Sequence, residues 1–274
     1  MKKSEAGKTG QAEEREARKE EAREVSRLRA HVVYAAVRME GEHEIKRQPF
    51  ALASSGLAAG LSMGFSLITE GLIRAQLPNQ PWRPLVSHFG YCAGFLIVVL
   101  GRQQLFTENT LTAILPLLQA PTAKVLLRVL RLWVIVLIAN VVGCFLFAWL
   151  VGHSDIFSPE VKQSFAELAQ ESLRATWSTT FIHGIFAGWL IAMMVWLLPA
   201  SDSASIWVVI IMTYLVALGN HSHIIAGSTK VFYAATVGLA PWSFYFQWMI
   251  PTLFGNILGG VSLVALLGRA QVIE

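Results

Sequence analysis

Gly101-Arg102-Gln103-Gln104-Leu105-Phe106-Thr107-Glu108-Asn109-Thr110 is a polar stretch set inside an apolar run that extends from about residue 86 to 118. Polar, interrupted backbone is tolerated at membrane depth only where protein buries it or water reaches it. Apolar sequence on both sides makes the stretch a break within one span rather than a loop between two. A second interruption, Gly219-Asn220-His221-Ser222-His223, divides the apolar run 204–238 in the same way. These two breaks are the first place to look for a path across a membrane.

Around them the chain reads as helices that cross a bilayer. A hydrocarbon core of about 30 Å takes roughly 20 helical residues, and six segments after Pro49 are long and apolar enough: 50–75, 86–118, 124–151, 177–198, 204–238 and 245–268. Of the 274 residues 54% are hydrophobic and 15% charged. The charges are concentrated, because residues 1–48 hold 12 of the 22 Lys and Arg and 10 of the 18 Asp and Glu. The expected organisation is a charged cytosolic segment, 1–48, followed by a six-helix membrane domain, 49–270. Within the first segment, 11–40 has the i, i+3 and i, i+4 Glu–Arg spacing of a solvated helix.

Several classes are disfavoured. No basic face interleaved with aromatics suggests nucleic acid. Cys92 and Cys144 lie inside apolar runs, where a thiol behaves as a small hydrophobe, and no metal site or cofactor motif is expected. The first ten residues lack the apolar core of a signal peptide. Lys124, Arg128, Arg131 and Arg269 place the N- and C-termini on the cytoplasmic side, although Arg74, Arg83, Lys162 and Arg174 fall in the outer loops. Trp82, Trp196, Trp242 and Trp248 stand near span ends and read as an interfacial belt.

An internal repeat links the two breaks. Gly56-Leu57-Ala58-Ala59-Gly60 in the first span matches Gly184-Ile185-Phe186-Ala187-Gly188 in the fourth as G-x-x-A-G, and Asn140-Val141-Val142-Gly143 in the third matches Asn256-Ile257-Leu258-Gly259 in the sixth as N-x-x-G. The order of motif, broken helix and motif occurs twice, three spans apart, and an odd number of spans inverts the second copy. The expected fold is therefore an all-α polytopic membrane protein with six transmembrane helices, two of them broken, as inverted 3+3 repeats. In such repeats half-helix N-termini aim their dipoles at a substrate near the midplane.

The stretch 101–110, with its Leu105-Phe106-Thr107, resembles the signature of the formate/nitrite transporter family, and within it the YfdC-like branch. The fifth-span interruption is similar to that family's Gly-aromatic-Glu-His-Ser-x-Ala-Asn loop. The resemblance runs from about residue 30 to the end. It implies an aquaporin-like protomer, a homopentamer in the bacterial inner membrane, and one path per protomer for small anions, with apolar constrictions on either side of a central His. Leu105 and Phe106 would narrow the cytoplasmic side with Tyr91 and Phe95 facing them, and Thr107 would hydrogen-bond the His. Aligned on Gly219, the His position falls on Ser222, and a shift of one residue moves it to His223, which the apolar Ile224-Ile225 favours. The family Asn four residues beyond that His becomes Gly227, or Ala226 in the other register, and the fourth-span Asn becomes Gly188.

Chemically, a bare carboxylate or nitrite ion is costly to bring into an apolar constriction, whereas its neutral acid is not. A His in the path could supply that proton or attract the anion. His223, with Ser222 and His221 beside it, is the candidate; the bland alternative is that these His side chains only satisfy loop carbonyls. Thr107 could instead cap the helix that begins at Glu108, and Arg102 is expected to pair with Glu108. Two other functions stay open: a neutral-solute channel of the same shape, and a membrane-anchored interaction protein with a vestigial pore. No nucleophile with a base appears at midplane depth, so an enzyme is not expected.

Overall fold

The computed structural model describes residues 31–270 together with Arg15, Arg18 and Lys19, with side chains as far as Leu263. Most of the helix expected over 11–40 lies outside these residues. Residues 31–44 are helical (α1), and no strand occurs among the described residues. There follow α2 (Pro49–Gln76), a short α3 (Arg83–Ser87) running through a 3-10 turn into α4 (Cys92–Leu100), and α5 (Phe106–Thr112) and α6 (Ile114–Gln119). Then come α7 (Ala123–His153), α8 (Pro159–Leu173), α9 (Trp177–Leu197), α10 (Ser205–Leu218), α11 (Ile224–Thr236) and α12 (Ser243–Ala270). Among the described residues four stretches, Pro49–Gln76, Arg83–Leu100, Ala123–His153 and Trp177–Ala200, are long and apolar enough to cross a membrane, and Asp202–Leu218 is a shorter apolar helix.

Both interruptions are made the same way. Gly101 and Gly219 cap α4 and α10 with ordinary negative φ, and the next residue, Arg102 or Asn220, takes the left-handed conformation at φ 49° or 48°. Gln103 N–H then donates to Val98 O, and His221 N–H to Val216 O, each at 2.9 Å. This is the Schellman helix stop. Asn accepts that conformation readily, whereas Arg102 adopts it against its intrinsic preference. Glycine therefore marks both breaks without occupying the strained position.

The re-entrant chain after each break is held by an asparagine. Asn140 of α7 accepts from Phe106 N–H (2.9 Å) and donates to Gly56 O (2.7 Å) and Gln104 O (2.9 Å). Asn256 of α12 accepts from Ile224 N–H (2.8 Å) and donates to Gly184 O (2.9 Å) and Ser222 O (2.8 Å). Both asparagines are fully buried. Each thus ties the first residue of a half-helix to the first glycine of a G-x-x-A-G motif. The last glycines of those motifs, Gly60 and Gly188, lie against the backbone of Asn140 and Asn256, so closely that a Cβ would collide with the carbonyl oxygen. Small residues are what lets such helices approach. Gly188, expected on the path, therefore stands at the α9–α12 crossing.

Two further expectations are corrected. Residues 159–173, read as part of an outer loop, form α8, whose Val161, Phe165, Leu168 and Ala169 are buried on one face at helical spacing. Phe165 lies against Gly71 and meets the Tyr233 ring at 5.7 Å, and Arg74 at the end of α2 binds Glu167 and Glu171. Of the expected tryptophan belt, Trp82 and Trp242 are exposed, but Trp196 and Trp248 are buried; Trp196 packs against Tyr34 of α1.

Candidate functional site

The two half-helices α5 and α11 meet at one contact. Thr107 Oγ1 lies 2.8 Å from His223 Nε2, and each residue is 1% exposed. Thr107 is not the cap of α5, since Leu105 occupies that position and the first amide is taken by Asn140. His223 does cap its helix: Nδ1 accepts the Ala226 N–H at 3.1 Å. In a neutral imidazole one nitrogen accepts and the other carries the hydrogen, so Nε2–H donates to the Thr107 hydroxyl. That leaves the hydrogen of the Thr107 hydroxyl for another acceptor.

A vestibule of about 260 Å³ reaches His223 from the side of α8, and Thr107, on the other side of the contact, does not line it. Glu171 and Arg174 line it together with Tyr91, Ser222, His223, Gly227, Lys230 and Trp248. Ser222 therefore lines the wall beside the ring that meets Thr107. Below His223 the interior is closed by side chains. Phe95 is packed edge-on against the His223 ring (5.0 Å) and Tyr91 against Phe95 (5.3 Å), while Leu105 and Phe106 are 1% exposed. His221 and His183 also line the vestibule; the His221 ring lies on Phe186, and its Nδ1 is 3.1 Å from His183 Nδ1 rather than on a loop carbonyl.

On the opposite side α1 covers the first break. Gln104 Nε2 donates to Glu44 at 2.7 Å, Gln104 Oε1 accepts from Asn109 Nδ2 at 3.0 Å, and Arg47 pairs with Glu44 at 3.1 Å. Arg131 of α7 holds the turn after α1 through the carbonyls of Ile45 and Arg47, both at 3.0 Å. Arg102 is exposed and forms no ion pair with Glu108, contrary to expectation. A buried Glu108 oxygen has no hydrogen-bond partner among the described residues.

The sequence reading overlooked Glu70 and Lys230. Lys230 Nζ lies 3.0 Å from Glu70 Oε2, and His88 Nδ1 lies 2.6 Å from Glu70 Oε1. A signal was available, because ionisable residues inside apolar spans are costly and usually functional. Among the described residues no group of three or more His, Cys, Asp or Glu is arranged to hold a metal ion, and Cys92 and Cys144 are buried free thiols.

Known proteins are similar to this chain in sequence and in fold. The family model described as formate/nitrite transporter matches residues 31–269. An inner membrane protein of Escherichia coli, YfdC, is 42% identical over 245 residues, covering 89% of this chain and 79% of its own length. The formate channel FocA of Haemophilus influenzae is 22% identical over 83% of this chain and 88% of its own. In fold, the chain superposes on a pentameric formate channel solved with formate bound, with TM-score 0.72 at 18% identity over 82% of this chain and 98% of that one.

Proposed function

Because the chain belongs to the formate/nitrite transporter family, we propose that it carries small monovalent anions or their acids, such as formate, nitrite or a short carboxylate, through the vestibule and past the Thr107–His223 contact. The observation that supports this most is that contact itself. Two half-helices meet where His223 lines a cavity of about 260 Å³, each held by its own buried asparagine. The matched hydrogen bonds of Asn140 and Asn256 support reading the fold as six spans in two inverted halves. In this reading α1 and both termini face the cytoplasm, α8 faces outward, residues 49–270 form the channel domain, and the protomers assemble as a homopentamer in the bacterial inner membrane.

The hydrogen bonds suggest how the site meets an anion. His223 holds its Nδ1 on the helix cap, so taking up a second proton means giving up the Ala226 bond. While the cap stands, the ring donates to Thr107, and the Thr107 hydroxyl offers its own hydrogen to the arriving oxygen. Proton delivery by His223 requires the cap to open first. Phe95, Leu105 and Phe106 form the closed apolar constriction that a bare anion crosses at a cost and a neutral acid crosses readily.

The test is flux into liposomes holding the purified protein, with formate, nitrite, lactate and glycerol compared. Anion flux that His223→Ala slows at least about tenfold, the effect of losing about 1.4 kcal/mol of stabilisation, with unchanged elution, supports the reading. Glycerol flux without anion flux moves it to a neutral-solute channel. No flux of any solute removes transport and leaves an interaction role.

A further inference from the structure

Lys230 stands seven residues beyond His223 on α11. His223, Gly227 and Lys230 are spaced i, i+4, i+7, which puts them on one helix face, and all three line the vestibule. At a rise of 1.5 Å per residue, Lys230 sits roughly 10 Å further out along the helix axis. Gly227 projects nothing between them; a Cβ there would run into the Trp248 ring. The wall thus presents a cation outside and an imidazole inside, with a gap between.

The lysine is held from behind. Its Nζ is 3.0 Å from Glu70 Oε2 and 5.4 Å from the centre of the Tyr91 ring. Glu70 is fully buried in α2, and its other oxygen is anchored by His88 at 2.6 Å. Neither Glu70 nor His88 reaches the cavity wall. A carboxylate at that depth is costly unless paired; here Oε1 is anchored by His88 and Oε2 lies at ion-pair distance from Lys230, outside hydrogen-bond geometry. An ammonium carries three donors; the Glu70 ion pair does not use all of them, which leaves donors for a ligand in the vestibule.

Building on the transport reading, we propose that Lys230 is an outer station for a small carboxylate or nitrite-type anion, and that Glu70 weakens its hold so that the anion moves on. Conduction needs sites that bind well enough to load and weakly enough to release. An unpaired lysine in a low-dielectric cavity would be a trap. The neighbouring carboxylate offsets its charge while the free donors still face the path, and His88 keeps that carboxylate in place.

The alternative is that the pair only ties α2 to α11. Formate uptake into proteoliposomes over a concentration series separates the two. Glu70→Gln combined with Lys230→Met removes both charges together, so no uncompensated ion is buried. The half-saturating formate concentration is expected to rise about tenfold, the effect of one lost charge-assisted hydrogen bond. Lys230→Arg is expected to keep it within about threefold. Glu70→Gln alone is expected to shift it the other way, to lower concentration with a lower maximal rate. A monodisperse double variant with unchanged half-saturation overturns the station and leaves a structural pair. If the double variant does not fold, an unchanged half-saturation in Glu70→Gln overturns it equally. Absence of flux in the unmodified protein overturns the transport reading itself, a result distinct from both.

Discussion

Replacing Asn256 by Ala removes three buried hydrogen bonds in one step. The amide of Ile224 loses its acceptor, and the carbonyls of Gly184 and Ser222 lose their donor. Hydrogen bonds between helices in a membrane average about 0.6 kcal/mol and reach about 1.7 kcal/mol, so three lost together should cost about 2–5 kcal/mol. Water cannot easily replace them, because Asn256 is completely buried. Asn140→Ala should cost about the same, since it breaks the same set of bonds on Phe106, Gly56 and Gln104. Asn256→Asp keeps the acceptor for Ile224 but turns a carboxyl oxygen toward two carbonyls, and should do no better than Ala. The assay is equilibrium unfolding in lipid–detergent mixtures with increasing dodecyl sulfate, followed by tryptophan fluorescence. A loss below about 0.5 kcal/mol, less than one such bond, at either asparagine would refute the reasoning. So would a large cost at one and none at the other.

Other outcomes follow from the same geometry. Gly60→Ala and Gly188→Ala drive a methyl into the backbone of the facing helix, and each should cost about 1–3 kcal/mol by the same unfolding assay. Thr107→Val removes the hydroxyl that His223 meets and should slow anion flux about tenfold or more, whereas Thr107→Ser should keep most of it. Arg74→Ala breaks two partly exposed ion pairs with α8; the loss should stay near 1 kcal/mol and shrink in high salt. Glu44→Ala releases Gln104 and Arg47 and should make residues 31–48 more sensitive to limited proteolysis without changing the unfolding of the rest. If His223 delivers protons, His223→Ala should flatten the rise in flux that falling pH brings, and an equal rise in the variant would leave His223 as a hydrogen-bonding group only.

The all-helical class and the two helix breaks were legible because their signals were local. Six apolar runs, two polar interruptions and two repeated motifs can all be read without knowing which segments touch. The repeats proved informative beyond helix packing, since each pairs a close-approach glycine with an asparagine that anchors a re-entrant strand of chain. The choice between Ser222 and His223 was not local. It turned on which residue ended the loop, and the Nδ1 cap on Ala226 places the His223 ring, rather than Ser222, against Thr107. Glu70, His88 and Lys230 were missed because they sit on three separate elements, and only the fold makes them neighbours. The Arg102–Glu108 pair failed for the opposite reason: proximity in sequence suggested a contact that the left-handed turn at Arg102 directs away. Trp196 and Trp248 show that position near a span end says little about which way a side chain faces.

The central claim is that the vestibule ending at His223 is the route an anion takes. Ser222 lines that vestibule and is partly exposed, while Cys92 and Cys144 are buried. Ser222→Cys therefore places a single accessible thiol on the proposed route. Treated with a charged, membrane-impermeant methanethiosulfonate, proteoliposomes bearing this variant should lose formate flux in proportion to the thiol labelled, while the unmodified protein keeps its flux. Full labelling of the introduced thiol with formate flux intact would contradict the account.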